Sequence, residues 1–360
     1  MKENSQRFFL SPEDPHCKGK LESSLDGPNK NIPREITVLG AGSWGTVLSH
    51  LLVASGHQVY LWARSENFVR HVVQTGRFTR PVEITLPDSI HLTSDLAEAI
   101  EGADVVLCAI PSEGVPDMIH SLQQLNAKFS LLISATKGLA KESGLCMTEL
   151  WERAFPCKVA ALSGPNLSAE AALAKPMRTM IAAKHLTIAQ EAAALFKVAH
   201  FKVQLTDDLL GLEMTGALKN VIALAAGAWD GLNLGSSGKG AMFTRAVDEL
   251  AGFVQLVGGR KETAHSVAGI GDLYITCSSP LSRNYQTGYG LGVGKSLEQI
   301  GRELKGQVAE GVWNAPLLYE LAQKHKAQFR LCKTVYEMLQ LDLSEAENKY
   351  KLEEMFIALV

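Results

Sequence analysis

The pattern of apolar positions divides the chain into two parts with different periodicity. From residue 34 onward, short continuous apolar runs alternate with stretches whose apolar residues recur at helical spacing. Continuous apolar runs are typical of parallel strands that helices cover on both faces. The predicted strands are Glu35–Gly40, Gln58–Trp62, Asp104–Ile110, Leu131–Ala135, Lys158–Leu162, Met177–Ala183 and His200–Leu205.

After about residue 208 the strand pattern fades and helical spacing dominates. The predicted helices are Leu209–Trp229, Thr244–Val257, Leu297–Leu304, Asn314–Lys324 and Thr334–Leu339. We therefore predict an α/β Rossmann-like, doubly wound sheet domain over residues 34–208 and an all-α C-terminal domain over residues 209–340. Residues 1–33, polar and rich in proline, are expected to be a disordered tail, and residues 341–360 a tail or charged helix.

Composition and charge narrow the possible functions. The 360-residue chain is 46% hydrophobic and 20% charged, and its 35 basic and 38 acidic side chains give a net charge of -3. This balance favours neither nucleic acid nor an acidic membrane surface, so a few local cations must hold an anionic substrate. No apolar run approaches the length of about 18 residues that a membrane span needs, so we expect no membrane insertion. Without a secretory signal or metal-binding spacing, we expect a cytoplasmic protein without a metal, whose cysteines are free thiols: Cys17, Cys108, Cys146, Cys157, Cys277 and Cys332.

A glycine-rich turn follows the first predicted strand and precedes a helix, with the sequence Gly40-Ala41-Gly42-Ser43-Trp44-Gly45. Gly40 allows the tight turn, Gly42 lets a pyrophosphate approach the backbone, and Gly45 permits close helix–strand packing. The N-terminus of the helix then faces the phosphates with its partial positive charge. The turn therefore predicts NAD or NADP as cofactor.

The end of the second predicted strand bears on the choice between the two cofactors. The strand tip carries Arg64 and no acid, which favours NADP because an arginine suits a 2′-phosphate. Glu66 could still bond a ribose hydroxyl, so NAD remains open.

Two lysines and an aspartate are candidates for the chemistry. Lys219 lies inside an otherwise apolar predicted helix, where desolvation lowers the pKa of an amine and suits it to general acid–base work. Asp272, flanked by glycine and leucine in a glycine-rich segment, could orient Lys219. Lys137 ends a central strand at the edge of the sheet where ligands bind, so it could contact cofactor, substrate or both.

Other polar segments could hold a substrate. Ser282, Arg283 and Asn284 form a donor-rich patch, and the planar fork of arginine binds phosphate. Gly164-Pro165-Asn166 ends a predicted strand and could place backbone amides near a substrate, and Glu310 could touch a cofactor.

Together these segments resemble the NAD(P)-dependent glycerol-3-phosphate dehydrogenase family, particularly its bacterial-type members. The most specific motif is AGIGDLYITCSSPLSRN at 268–284. The others, in the family's order, are GAGSWGT at 40–46, ATKG at 135–138, SGPN at 163–166, ALKNV at 217–221 and AEGV at 309–312. The resemblance implies reduction of dihydroxyacetone phosphate to sn-glycerol 3-phosphate for phospholipid synthesis, and a homodimer is a further expectation.

The resemblance also implies residue roles. Lys219 would be the proton acceptor when the alcohol is oxidised, and Lys137 would lie between cofactor and substrate. The residues implied to hold the substrate are Asp272, Ser282, Arg283 and Asn284. The residues implied to lie at the cofactor are Ser43, Trp44, Arg64, Arg283, Val308 and Glu310.

Two residues depart from the family's usual G-P-S/T-F-A. Asn166 replaces serine or threonine but still offers a hydrogen bond to substrate, and Ser168 replaces the alanine near the cofactor. Two rival functions stay open. One is another two-domain hydroxyacid dehydrogenase, although the motif set that such enzymes carry at the catalytic lysine is lacking. The other is an NAD(P)-binding regulator without turnover, against which the presence of Lys219 and Asp272 speaks.

Overall fold

The computed structural model describes residues 33–304, 309–342 and 346–360, and they form two compact units. The first unit contains the described residues up to Thr136 together with Leu150–Leu162 and Asn166–Asp207. The second contains Lys137–Glu149, Ser163–Pro165 and the described residues from Asp208 on. The expectations for residues 1–32 and for Val308 lie outside the described residues.

The first unit is built on an eight-stranded sheet. Its strands and those of a small hairpin are β1 Glu35–Leu39, β2 Gln58–Trp62, β3 Arg77–Phe78, β4 Ile84–Thr85, β5 Ile90–Thr93, β6 Val105–Cys108, β7 Leu131–Ser134, β8 Lys158–Ser163, β9 Met177–Ala182 and β10 Phe201–Thr206. The strand order is β10-β9-β8-β7-β6-β1-β2-β5, with β3 and β4 pairing separately. Parallel pairings run from β5 through β2, β1, β6 and β7 to β8, and another joins β9 to β10.

Helices connect these strands and cover the sheet. They are α1 Ser43–Ala54, α2 Glu66–Thr75, α3 Leu96–Ile100, α4 Val115–Gln124, α5 Met147–Ala154, α6 Ser168–Ala172 and α7 Leu186–Ala193, with a 3-10 turn at Ser112–Gly114. Every residue of β6 and β7 is buried, as expected for strands covered on both faces. After β1 the chain adds β2 and β5 on one side of β1, and then adds β6 and the later strands on the other side. Such a switch in strand order leaves a crevice at the carboxyl ends of the strands, where ligands bind.

The second unit is helical. Its helices are α8 Leu209–Gly231, α9 Ser236–Leu256, α10 Lys261–Ala264, α11 Asp272–Ser278, α12 Arg283–Gly292, α13 Leu297–Glu303, α14 Glu310–Lys324, α15 Arg330–Met338 and α16 Ala346–Ile357, with a π-helical turn at Val267–Gly271. Among the described helices, α8 alone is long and apolar enough to cross a membrane, but 94% of its apolar stretch is buried inside the protein. A helix that is apolar on all sides needs neighbours on all sides, and α8 is the central helix of this core.

Glycines let α12 cross α8 at very short range. A Cβ added to Gly288 would lie 1.9 Å from the carbonyl oxygen of Leu224, and one added to Gly227 would lie 2.0 Å from that of Tyr285. Glycine weakens an isolated helix, so the stability of α12 depends on this packing.

The structure confirms the predicted fold class, and its differences from the prediction are local. The strand Ile90–Thr93 and the hairpin were not predicted, because they are short and their apolar residues do not form a continuous run. Helix α9 begins at Ser236 and not at Thr244, since its first two turns are rich in glycine and serine and lack apolar spacing. The segment that holds Arg283 and Asn284 is the start of α12 and was not among the predicted helices.

The α8–α12 crossing can be tested with a methyl group. We expect Gly288→Ala to lower the free energy of unfolding by about 1–3 kcal/mol, because the backbone of α8 cannot move out of the way of the new Cβ. The matched control is Gly240→Ala in α9, where a Cβ would meet nothing within 4 Å. This control should be neutral or stabilising by about 0.5–1 kcal/mol. Urea unfolding of both variants measures the difference, and equal stabilities would contradict the close crossing.

Candidate active site

The glycine turn after β1 has the geometry that a bound dinucleotide requires. Gly40 has a φ of +108°, which favours glycine, and its N–H donates to the carbonyl oxygen of Trp62 at 3.0 Å. A Cβ on Gly45 would lie 1.9 Å from the Gly40 carbonyl oxygen, so α1 packs directly on the turn. Nothing lies within 4 Å of a Cβ built on Gly42, which leaves open space above the backbone at the start of α1.

Four further residues predicted to lie at the cofactor occupy separate positions in the first unit. Ser43 and Trp44 are the first residues of α1, and Ser168 is the first residue of α6. Arg64 is exposed after β2, whereas the neighbouring Glu66 is paired with Arg70 at 2.7 Å.

Asn166 also lies in the first unit. Its side-chain Nδ2 donates to Thr179 Oγ1 at 2.9 Å, while its Oδ1 is buried and has no hydrogen-bond partner among the described residues.

A buried carboxylate in the second unit joins two lysines from distant parts of the chain. Lys219 Nζ lies 2.6 Å from Asp272 Oδ1, and Lys137 Nζ lies 2.8 Å from Asp272 Oδ2. The side chains of Asp272 and Lys219 are 1% and 7% exposed, whereas that of Lys137 is 20% exposed. Lys137 also donates to the carbonyl oxygen of Gly164 at 3.1 Å. The arrangement places one buried and one more accessible ammonium group on a single carboxylate.

The electrostatics of this group favour proton exchange by Lys219. Burial lowers the pKa of Lys219 to about 8, an effect that Asp272 opposes and the positive charge of Lys137 reinforces. Burial alone would raise the pKa of Asp272, but the charges of Lys137 and Lys219 outweigh it and lower that pKa. Asp272 is therefore a carboxylate, and Lys219 can gain or lose a proton near neutral pH.

Thr276 belongs to this group and was missed by the sequence analysis. Its Oγ1 lies 3.2 Å from Lys219 Nζ and donates to the Asp272 carbonyl oxygen at 2.6 Å. The available signal was its spacing, since a residue four positions after Asp272 on a helix lies on the same face. The sequence analysis predicted no helix at Asp272, whereas the structure makes it the first residue of α11.

The donor-rich patch is divided by the start of α12. The Ser282 hydroxyl caps this helix by accepting from the Tyr285 N–H, and Arg283 is exposed. Asn284 is buried: its Nδ2 donates to Asn220 Oδ1 at 3.0 Å, and its Oδ1 accepts from the Gly311 N–H at 2.8 Å. Of the three side chains, Arg283 is the one that faces solvent.

Glu310 extends this network from α14. Its Oε2 accepts a hydrogen bond from Asn220 Nδ2 at 2.9 Å, so Asn220 joins Asn284 to Glu310. Burial raises the pKa of Glu310, while the positive charges of Arg283, Lys137 and Lys219 act against that rise. Because Asn220 directly follows Lys219 on α8, the amide network and the lysine group share one helix.

The second unit thus brings several predicted site residues together, namely Lys137, Gly164, Lys219, Asp272, Asn284 and Glu310. The glycine turn, Arg64, Asn166 and Ser168 belong to the first unit. In the part of the chain that the structure describes, no group of three or more His, Cys, Asp or Glu side chains could hold a metal ion. The five cysteines between residues 108 and 332 are free.

A parallel sheet with a glycine turn at its switch point, followed by a helical unit with a buried lysine, defines a class of nicotinamide-dependent dehydrogenases. Two family models match the chain. The N-terminal model of NAD-dependent glycerol-3-phosphate dehydrogenase matches residues 35–189, and the C-terminal model matches residues 208–348. The chain belongs to the NAD-dependent glycerol-3-phosphate dehydrogenase family, which confirms the resemblance found in the sequence, and it is an oxidoreductase.

Individual relatives agree with this assignment. A glycerol-3-phosphate dehydrogenase (NAD(P)+) of Corynebacterium glutamicum strain R is 37% identical over 330 residues, covering 90% of this chain and 97% of the relative. One of Synechococcus sp. strain JA-2-3B'a(2-13) is 35% identical over 322 residues, covering 89% and 94%. The crystal structure of glycerol-3-phosphate dehydrogenase from Coxiella burnetii matches with a TM-score of 0.81 at 31% identity, covering 89% of this chain and 99% of that one.

The open space above Gly42 gives a prediction about cofactor binding. We expect Gly42→Ala to leave the fold intact, since its φ of -72° suits any residue and the new Cβ meets no atom. The methyl group would occupy the space in which a pyrophosphate approaches the backbone, so the affinity for NADPH should fall by roughly tenfold or more. Titration of the nicotinamide fluorescence measures this. Unchanged affinity would mean that the dinucleotide does not bind on this turn.

Proposed function

We propose that the protein reduces dihydroxyacetone phosphate to sn-glycerol 3-phosphate with NADPH or NADH, in the reversible reaction named for its family. The observation that carries this proposal is Lys219, a buried amine whose pKa is lowered to about 8 and whose ammonium group is held by Asp272. An amine with this pKa can donate a proton in one direction of the reaction and accept it in the other. We further propose that the enzyme is cytoplasmic and supplies glycerol phosphate for phospholipid synthesis; a homodimer remains a prediction from the sequence.

The proposed substrate is an anion, and the second unit offers two cations that could bind it. Arg283 presents an exposed guanidinium group at the start of α12, and Lys137 keeps part of its side chain accessible. We propose that these two bind the phosphate, because a planar guanidinium group bonds phosphate oxygens through two N–H groups. Asn284 and Ser282 already have hydrogen-bond partners within this unit. Asn284 bonds the Asn220 side chain and the Gly311 N–H, and Ser282 accepts from the Tyr285 N–H, which favours a structural role for both.

The chemistry follows from the residues of the lysine group. A dinucleotide whose pyrophosphate is bound at the glycine turn would supply, through its nicotinamide, the hydride that reduces the carbonyl carbon. Lys219 in its ammonium form would stabilise the negative charge that develops on the carbonyl oxygen and would donate a proton from Nζ to that oxygen. Asp272 acts as a positioning residue, since each of its carboxylate oxygens bonds one lysine.

Turnover distinguishes this proposal from an NAD(P)-binding regulator. The direct experiment adds dihydroxyacetone phosphate to the protein with NADPH and follows the near-ultraviolet absorbance of the reduced nicotinamide. Loss of absorbance supports the reductase, whereas binding without loss supports the regulator. The same assay with 2-oxo acids as comparison substrates distinguishes the proposed reductase from another hydroxyacid dehydrogenase.

The role of Lys219 predicts both a loss of rate and a pH dependence. We expect Lys219→Met to lower kcat by roughly 10²–10⁴-fold while NADPH still binds, because the general acid is removed. In the wild type, reduction should slow as pH rises through about 8, where Lys219 loses its proton, and oxidation of glycerol 3-phosphate should accelerate over the same range. The control is Lys239→Met, which removes a lysine paired with Asp230 at 2.5 Å. Near-normal turnover of Lys219→Met would contradict the role of Lys219 as the general acid.

Arg64 predicts the cofactor preference. We propose that this exposed arginine after β2 binds the 2′-phosphate of NADP, so that NADP is preferred over NAD. Arg64→Ala should then raise the Kd for NADPH by roughly tenfold to a hundredfold and leave that for NADH nearly unchanged. Arg77→Ala, which removes an exposed arginine paired with Glu83 in the same unit, is the control. Equal losses for both cofactors in Arg64→Ala would argue against a 2′-phosphate contact.

A further inference from the structure

The loop that carries Lys137 forms a short hairpin between Lys137 and Thr148. Leu139 and Cys146 form an antiparallel bridge, and the Ala140 N–H donates to the Leu145 carbonyl oxygen at 2.9 Å. The bridge lies two residues after Lys137 and two residues before Thr148, which is the second residue of α5. Whatever holds Thr148 in place therefore also limits where Lys137 can be.

Glu213 of α8 holds Thr148 by two hydrogen bonds. Its Oε1 accepts from the Thr148 N–H at 2.9 Å, and its Oε2 accepts from the Thr148 hydroxyl. Both residues are buried. Thr148 is in the first turn of α5, where backbone N–H groups have no partner within the helix, so the Glu213 carboxylate serves as a distant helix cap.

The start of the hairpin is fixed to the same helix. Asn314 of α14 accepts from the Leu139 N–H at 3.3 Å and donates to the Ala217 carbonyl oxygen of α8 at 3.4 Å. A Cβ added to Gly216 would lie 3.6 Å from Lys137 Cγ, so the aliphatic part of Lys137 lies beside this glycine of α8. The helix that carries Lys219 thus also contacts both ends of the hairpin that carries Lys137.

We propose that Glu213 is a positioning residue for the reaction: by accepting both hydrogen bonds of Thr148, it closes the hairpin 137–149 on α8 and holds Lys137 Nζ at Asp272. The inference rests on the proposed reductase, because it assigns Glu213 a part in binding and orienting the substrate at the same site. The proposed effect of Glu213 passes from Thr148 through the hairpin to Lys137.

Lys137 needs a fixed hairpin because placing a second ammonium group beside Lys219 costs electrostatic free energy. Like charges repel, so Lys137 stays near Lys219 only if Asp272 attracts it and the backbone of the hairpin prevents its withdrawal. The contacts to Asp272 and Gly164 leave Lys137 20% exposed, which gives its side chain a route toward solvent. A fixed hairpin removes that alternative.

The test measures the position of Lys137 without relying on activity. Thr148→Val keeps the shape and the backbone N–H but removes the hydroxyl bond to Glu213. Trace acetylation with acetic anhydride, read by mass spectrometry and normalised to the exposed Lys326, reports how firmly Lys137 is paired. We expect its acetylation rate to rise roughly fivefold in Thr148→Val, the population change that follows loss of one ordinary hydrogen bond. Thr148→Ser should restore the wild-type rate.

A matched control separates positioning from general destabilisation. Thr263 is another buried threonine of this unit, and its hydroxyl donates to Asp208 Oδ2 at 2.5 Å. Thr263→Val should lower Tm much as Thr148→Val does, yet leave Lys137 acetylation unchanged. If Thr148→Val does not fold, Glu213→Gln replaces it, because its single carbonyl oxygen still accepts the Thr148 N–H while the charge is gone.

The pH dependence of reduction and the ratio of KM to kcat provide a second measurement, which a loss of stability alone would not change. The charged or titratable groups that act on Lys219 are Asp272, Lys137, Glu310 and Cys277. When Lys137 withdraws, its ammonium group no longer repels that of Lys219, and the Asp272 carboxylate no longer pairs with Lys137. Both changes favour the charged form of Lys219, so the pKa of Lys219 rises. In Thr148→Val the fall in the rate of reduction should move to higher pH, and KM for dihydroxyacetone phosphate should rise more than kcat falls.

The outcomes are separable. Unchanged Lys137 acetylation in Thr148→Val, or an equal rise in Thr263→Val, overturns the positioning role. If the wild-type chain does not reduce dihydroxyacetone phosphate, the proposed function fails while the acetylation comparison still decides the role of Glu213.

Discussion

The arrangement of the helical unit depends on one carboxylate. Two ammonium groups cannot be withdrawn from water side by side unless an anion with good geometry lies between them. Asp272 supplies that anion at 2.6 and 2.8 Å, and it is itself 1% exposed. Because Lys219 and Lys137 are both bonded to it, the position of either lysine is set by where α11 begins. The π-helical turn before α11 delivers Asp272 to that point, and such turns are frequent at functional sites.

The helix that holds Lys219 is positioned mainly by the packing of its apolar residues. Helix α8 is apolar on all sides, and the glycines of α12 allow the two backbones to approach closely. This crossing places Asn284 beside Asn220, so the first turn of α12 is fixed relative to the residue that follows Lys219. The exposed Arg283 is thereby carried on a rigid element, as a phosphate-binding residue needs to be.

The candidate site could be predicted from the sequence where a residue type conflicts with its surroundings. Three features could be predicted in this way: a lysine in an apolar helix, an aspartate in a glycine-rich segment, and a glycine turn after the first strand. Thr276 did not, because a threonine in a helix is ordinary and its importance comes from the partner one turn away. Glu213 did not either, since its partner Thr148 lies far along the chain in another element.

By itself the sequence determined the alternation of strands and helices, the glycine turn and the family, because apolar periodicity and backbone freedom are local properties of the chain. Only the tertiary structure decided that Asn284 turns inward to Asn220 while Arg283 stays exposed, and that Lys137 joins the helical unit through Asp272. Those choices depend on which buried polar groups find partners, and the partners are distant along the chain: Asn220 and Asn284 are 64 residues apart, and Lys137 and Asp272 are 135 apart. A pattern along the chain does not indicate which distant residues will meet. The packing and hydrogen bonding of the folded core determine that.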